Sequence, residues 1–273
     1  MNNNILIIAG MHRSGTSLIS QWLHRCNLNL GESLIGADLG NVEGHFEDMD
    51  FVRFHEATLE AHHLPGTGFV TQPIPPLSKY ESEKLKSIIE FKNKMNPKWG
   101  WKDPRTCLFL GYYRELIPNA YYLNIIRDYQ STVSSLISRD FRFHETKYLS
   151  RKLLSRLIWK NLRRDRKQKK FYRELSEFYL KVWISYNEEL LKNIQNLSSD
   201  KFIVVDYRSL CEDDKNIFNK LKNAWNFNLK YYDFKQIFKE SMFSSVIDIN
   251  PMIKDKALLQ KAQDLENELR KYL

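Results

Sequence analysis

Residues Asn4 to Leu23, NILIIAGMHRSGTSLISQWL, constrain the fold of this chain more than any other stretch. Ile5, Leu6, Ile7, Ile8 and Ala9 are a short unbroken apolar run rich in β-branched side chains, the pattern of a strand covered on both faces. Gly10 and Gly15 then bracket Met11, His12, Arg13 and Ser14. Thr16 and Ser17 open a helix whose apolar positions Leu18, Ile19, Trp22 and Leu23 recur at helical spacing. Strand, tight glycine loop and helix in that order aim several backbone N–H groups and a helix N-terminus at one point, which attracts an anion. Taken alone, the loop also allows a plain β-to-α turn.

The phosphate loop of nucleotide hydrolases reads GxxxxGK followed by Ser or Thr, with the Lys on the β/γ-phosphates and the hydroxyl on Mg²⁺. Here Thr16 stands in the Lys position. The cation lies three residues earlier, as Arg13 inside the loop, where its planar fork can hold a phosphate or the group in transfer.

Downstream, Asn27 to Asp48 is a long stretch broken by Gly31, Gly36, Gly40 and Gly44, a length that in a compact domain marks a functional loop. Its end gathers Glu43, His45, Glu47 and Asp48. Helices are expected from about Met49 to His62 and from Glu81 to Met95. In WGWKDPRTCLFL, Trp99 to Leu110, the alternation of Trp99 and Trp101 predicts a short strand, Pro104 its stop, and Thr106 the start of a helix ending near Pro118. Lys102 and Asp103 then lie at the carboxyl end of a strand, where open α/β sheets contact ligands. The run Tyr121 to Ile126 followed by YQSTVSSLIS repeats the strand-to-helix logic, with Arg127 at the junction and Ser135 two turns into the helix. From Ser150 to Asn196 the pattern is helical, with a break expected near Lys167 to Phe171. Its first half carries ten basic residues against Asp165 alone, and its second half an apolar packing face at Leu175, Phe178, Val182, Trp183 and Tyr186. A further strand, Phe202 to Val205, leads to Tyr207 and another helix, and an amphipathic helix from about Lys254 ends the chain.

Three βα units with short connections imply an α/β fold, a mostly parallel sheet with helices on both faces. At 273 residues one domain can hold all of it, residues 1–273, with a basic helical insertion at about 145–196. The formal charge of +9 points to anionic partners or substrates. Cys26, Cys107 and Cys211, odd in number and widely separated, fit reduced core thiols better than a disulfide framework. No run approaches the ~18 apolar residues of a membrane span. The expectation is a soluble, cytoplasmic protein, with peripheral membrane contact as an option and an oligomeric state that composition does not reveal.

Several of these elements together resemble the sulfotransferases that use 3′-phosphoadenosine 5′-phosphosulfate (PAPS), in particular the tyrosylprotein and bacterial carbohydrate members. They are the RSGT core of the first loop, the pair Arg127 and Ser135 at a second strand-to-helix junction, WKDP at Trp101 to Pro104, and a late strand ending in Tyr207 before Leu210 and acidic residues. The resemblance implies a P-loop-like three-layer fold, a central parallel sheet flanked by helices as in the nucleotide kinases. It implies PAPS as cosubstrate and no metal. Arg13 and the backbone of Ser14, Gly15, Thr16 and Ser17 would hold the 5′-phosphosulfate, Arg127 and Ser135 the 3′-phosphate, and Tyr207 would lie near the nucleotide. The RKG-type element that closes the 3′-phosphate in cytosolic members has no equivalent after Tyr207.

Moving a sulfuryl group to a hydroxyl or amine requires the nucleotide to be held, charge to be offset on the sulfonate and the departing phosphate oxygen, and a proton to be removed. Arg13 and Lys102 are the candidates for charge stabilisation. Glu47 is the first candidate base, because bacterial members carry a similar G-aromatic-or-His-aromatic-E element. His45 is the second, since its ordinary pKa near 6.5 suits a base at neutral pH. Glu32 is the third, by analogy with an acidic pair of the tyrosylprotein enzymes whose second acid is here Ser33. The acceptor is expected to carry a hydroxyl and to be a carbohydrate or another small molecule.

Two other classes compete. A P-loop nucleotide kinase is disfavoured by Thr16 and by the lack of a strand ending in a metal-holding Asp, FIVVD at Phe202 to Asp206 being the nearest approach. A non-enzymatic anion-binding module would use the basic helix on nucleic acid or an anionic membrane. The charges spread round that helix and no nucleic-acid motif accompanies them, so no nucleic-acid partner is expected; a merely solvated face reads the same way. His62 and His63 diverge on a helix and His55 has no completing carboxylates, so no metal site is expected.

Overall fold

The computed structural model describes residues 3–36, 44–239 and 245–273. Strands β1 (Asn4–Ala9), β2 (Lys98–Lys102), β3 (Tyr121–Ile125) and β4 (Phe202–Val205) form one parallel sheet in the order β2-β1-β3-β4. Period-2 alternation splits the core. Ile5, Ile7 and Ala9 face one side with Trp99, Trp101, Tyr122 and Val204. Leu6 and Ile8 face the other with Leu123, Ile125, Ile203 and Val205.

Helices cover both faces. Against the first pack α2 (Met49–Ala61), α3 (Lys79–Met95), α4 (Leu110–Leu116), α5 (Tyr129–Leu149), α7 (Arg164–Gln195) and α9 (Lys256–Arg270), through side chains such as Phe51, Leu85, Tyr113, Val133, Trp183 and Leu265. Against the second pack α1 (Thr16–Arg25) and α8 (Tyr207–Asn219), through Trp22, Leu210 and Phe218. The three-layer α/β arrangement expected from the sequence is the one observed. The connection out of β1 leads to β2 on one side and that out of β3 to β4 on the other. A crevice therefore opens at the carboxyl ends of β1 and β3, the place where such sheets bind ligands.

Three boundaries differ from the sequence reading, each for a local reason. The third helix starts at Lys79 rather than Glu81, because Ser78 caps it: its Oγ accepts from the Glu81 N–H (3.2 Å) while the Glu81 carboxylate accepts from the Ser78 N–H (2.7 Å). Pro104 does more than stop β2. It opens a 3₁₀ helix, Pro104–Phe109, with Asp103 as its cap. The helical break lies at residues 150–152, between α5 and α6 (Leu153–Ile158), while Lys167 to Phe171 runs uninterrupted inside α7. That stretch holds no Gly or Pro, and positive charge alone did not break it. A π-helical turn, Trp159–Arg163, joins α6 to α7. Among the described residues no helix is long and apolar enough to cross a membrane, and all three cysteines are free thiols.

The long loop after α1 is fastened from below. Buried Lys92 of α3 reaches Glu32 (2.7 Å), Asp48 (2.7 Å) and Asp50 (2.8 Å), tying the start and end of the loop to one cation. Burial opposes the charge on Lys92, but the three carboxylates outweigh it and raise the pKa. Asp48, fully buried, also caps α2. Lys92→Ala is expected to cost ~3–5 kcal/mol in denaturant unfolding, since it strands the Asp48 carboxylate. A loss no larger than the ~1 kcal/mol of an exposed pair would contradict this role.

Candidate active site

All four strands end in residues of interest. After β1 the chain turns through Gly10, where an added Cβ would stand 2.7 Å from the Ile125 carbonyl oxygen and 2.7 Å from Thr16 Cγ2, so only glycine allows this close passage. Arg13 (φ 67°) and Gly15 (φ 101°) are left-handed on either side of Ser14, whose Oγ donates to the Met11 carbonyl at 2.6 Å. Such a turn on the N-terminus of α1 directs N–H groups outward as an anion nest. Apart from its own chain neighbours, no atom of the described residues lies within 4 Å of a Cβ built on Gly15. Ser14, Gly15, Thr16 and Ser17 follow one another through this turn into the first turn of α1, the candidate cradle.

After β3 comes Arg127, whose Nη1 donates to the Arg13 carbonyl at 2.8 Å. The Arg13 side chain in turn donates from Nε to Ser135 Oγ at 3.0 Å. Arg13, Arg127 and Ser135 therefore converge at the β1–β3 crevice. Burial lowers the Arg127 pKa, opposed by Asp128 and Tyr207, and a guanidinium keeps its charge under such a shift. Tyr207 follows β4 and opens α8 behind its cap Asp206. Its ring stacks on Phe238 (6.1 Å between centroids, 12° between planes), which brings the segment at Lys239 to this end of the sheet.

β2 ends in buried Lys102, in register with Ile8 of β1. Its Nζ lies 3.2 Å from Ser17 Oγ and 2.8 Å from Glu47 Oε1. The cation missing at Thr16 is thus delivered to the first turn of α1 by the neighbouring strand. Glu47 Oε1 is also 3.8 Å from His45 Nδ1. Burial would raise the Glu47 carboxyl, but the Lys102 ammonium and a hydrogen bond from His45 outweigh it and hold the pKa below its ordinary value. Glu32 is engaged elsewhere, with Lys92 and with Asn96 Nδ2 (3.0 Å). Gly40 and Glu43 lie outside the described residues.

Behind Lys102 stands a buried brace. Asp103 accepts from Arg105 Nη1 (2.9 Å) and meets His55 Nδ1 (2.7 Å), and His55 Nε2 meets the Tyr113 hydroxyl (2.7 Å). Burial pushes the His55 pKa down. Burial would raise Asp103, yet its hydrogen bond to His55 and the charge of Arg105 hold it well below the usual carboxylate range. The Asp of WKDP therefore locks the strand end that presents Lys102, and the histidine without a metal set is its partner. Among the described residues no His, Cys, Asp and Glu side chains cluster as metal ligands.

Sequence reasoning missed one residue within the loop and one near it. His12 packs on Phe69 (5.2 Å) and Tyr186 (6.0 Å), and burial, then the charge of Arg105, lowers its pKa to about 3, so the ring is neutral. Its buried Nε2 has no hydrogen-bond partner among the described residues. Arg139 stands over Phe69 at 5.1 Å and bonds Asp140 (3.0 Å), which also accepts from the Tyr179 hydroxyl. Four residues after Ser135 on α5, it shares that residue's face, a spacing that could have revealed it. His12, Phe69, Tyr179 and Arg139 make a wall of mixed aromatic and cationic character next to the cradle.

A sequence profile of the sulfotransferase family matches residues 6–227. Among solved structures, a sulfotransferase of Mycobacterium avium superposes with TM-score 0.57 at 13% identity, covering 98% of this chain and 77% of that one. One of Mycobacterium tuberculosis H37Rv gives 0.52 at 12% identity, covering 99% and 77%. The sulfotransferase domain of the Synechococcus PCC 7002 olefin synthase gives 0.50 at 14%, covering 97% and 95%. At these identities the likeness is one of fold. No curated protein sequence matches.

Proposed function

The chain belongs to the sulfotransferase family, and from that premise we propose that residues 1–273 act as one domain that moves a sulfuryl group from PAPS to a hydroxyl, or an amine, of a carbohydrate or other small acceptor. The observation that carries this reading is the meeting of Arg13, Arg127 and Ser135 in the crevice between β1 and β3. PAPS is anionic at two places, and here a nest-forming loop lies against a second cationic junction. In this proposal Arg13 and the cradle from Ser14 to Ser17 take the 5′-phosphosulfate. Arg127 and Ser135 take the 3′-phosphate, and Tyr207 flanks the nucleotide.

The reaction joins the acceptor oxygen to sulfur as the bond from sulfur to the bridging phosphate oxygen breaks, and the acceptor's proton leaves to a base. Arg13 and Lys102 offset the charge that grows on the departing oxygen. Glu47 accepts the proton, and His45 orients it. Lys102 sits between Ser17 and Glu47, so it serves donor and base in turn. When its ammonium shifts toward the phosphosulfate, Glu47 loses the partner that depresses its pKa and becomes a stronger base. The wall of His12, Phe69, Tyr179 and Arg139 receives the acceptor.

A thermal-shift screen tests the donor. 3′-Phosphoadenosine 5′-phosphate is expected to raise Tm, by an amount equivalent to ~2.7 kcal/mol at a hundredfold excess over Kd, whereas ATP and GTP leave it unchanged. Transfer from labelled PAPS is expected to persist in EDTA. A Tm rise with ATP that depends on Mg²⁺ would favour a kinase instead.

A further inference from the structure

Where α5 ends and α6 begins, the chain turns apolar side chains outward. Leu153, Leu154, Leu157 and Leu162 expose 65%, 71%, 47% and 75% of their surface, although a surface helix ordinarily turns such residues toward the core. Trp159 is the residue that goes in. It stacks on Tyr148 (3.9 Å, 3° between planes) and donates from Nε1 to Glu145 (3.0 Å). With that anchor fixed, the register of α6 and the π-helical turn leaves the leucines on the outer face.

The same segment is strongly basic. Residues 151–170 hold ten Lys and Arg against one acid, Asp165. Lys152, Arg156, Lys160, Arg163 and Arg166 are exposed and have no ion-pair partner among the described residues. A leucine face rimmed by cations suits the interface of a bilayer, with the apolar side chains at the boundary of headgroups and acyl chains and the cations against anionic headgroups. We propose that α6 and the adjoining π-helical turn are a docking element for an anionic lipid membrane.

Charge and hydrophobicity together select this occupant. A second copy of the chain would set the same cations against one another. Nucleic acid would engage the cations, through counterion release, but would gain nothing from the outward leucines. From Ser135 to Leu149, α5 rises by roughly 20 Å, so the docking element lies about that far along the helix from the β1–β3 crevice. This inference stands independently of the transfer chemistry.

The test is cosedimentation of the purified full chain with phosphatidylcholine vesicles, with and without about 30% phosphatidylglycerol, at low and high salt. Binding is expected only to the anionic vesicles and to weaken as salt rises. Leu154→Glu with Leu157→Glu should lower it at least about tenfold, since both side chains lose their place in the interface. Lys160→Glu with Arg163→Glu should lower it by roughly fivefold per cation removed, or more. Because these side chains point outward, Tm and transfer to a water-soluble acceptor should be unchanged in both variants. Equal binding to neutral vesicles, or none to anionic ones, would overturn the proposal. So would a leucine variant that binds like the wild type, which would leave an electrostatic contact such as nucleic acid. A leucine variant that abolishes association with an acidic protein, but not with vesicles, would also overturn it.

Discussion

Arg13→Ala is expected to lower kcat for sulfuryl transfer by roughly 10² to 10³, the ~2.7–4 kcal/mol typical of one lost transition-state donor. The backbone of Arg13 is left-handed inside the nest, and its side chain reaches across to Ser135, so the guanidinium is fixed at the crevice. Arg13→Lys should recover only part of the loss, because an ammonium restores the charge but not the planar fork. Steady-state kinetics separate this role from simple binding. A fall in kcat and kcat/KM together marks an interaction made in the transition state, and a rise in KM alone marks uniform binding. Unchanged turnover would remove Arg13 from the mechanism.

Glu47→Gln is expected to reduce turnover by roughly 10² to 10⁴, the usual contribution of a positioned general base. The variant keeps the shape but leaves buried Lys102 without its counter-charge, so a stability loss of up to ~3–5 kcal/mol should accompany it, and assays belong below its melting transition. The pH dependence separates the two candidate bases. The pKa of Glu47 is depressed in the folded protein, so its contribution to stability is complete above the unfolded value of about 4.3 and disappears as pH falls through the lower folded value. Likewise the acid limb of kcat/KM, which reports the free enzyme, should lie below about 4.3 if Glu47 is the base. A limb near the ordinary histidine value of ~6.5 would give the role to His45.

What the sequence made legible was local. The strand, glycines and helix of Asn4 to Leu23 are adjacent in the chain, and their periodicities specify β1, the nest and α1 directly. Strand order was not legible, because parallel pairing joins distant segments without a turn to fix it. Lys102 and Glu47 were each identified alone. Their ion pair spans 55 positions and follows only from where β2 and the long loop come together. His12 was overlooked because an imidazole beside an arginine signals nothing until Phe69 and Tyr186 close on it. Asp103 read as a ligand residue by its place at a strand end, yet His55 and Arg105 claim both of its oxygens. The stretch after Lys230 carries no motif, yet Phe238 meets Tyr207 at the ligand end of the sheet.

The central claim is that the junctions at Arg13 and Arg127 grip one bisphosphorylated nucleotide. Calorimetric titration of Arg127→Ala with 3′-phosphoadenosine 5′-phosphate and with adenosine 5′-phosphate tests it most directly. Affinity for the bisphosphate should fall by roughly 10- to 100-fold, equivalent to the ~1.5–3 kcal/mol of hydrogen bonds to a charged group, while affinity for the monophosphate barely changes. Equal losses for both nucleotides would contradict the claim.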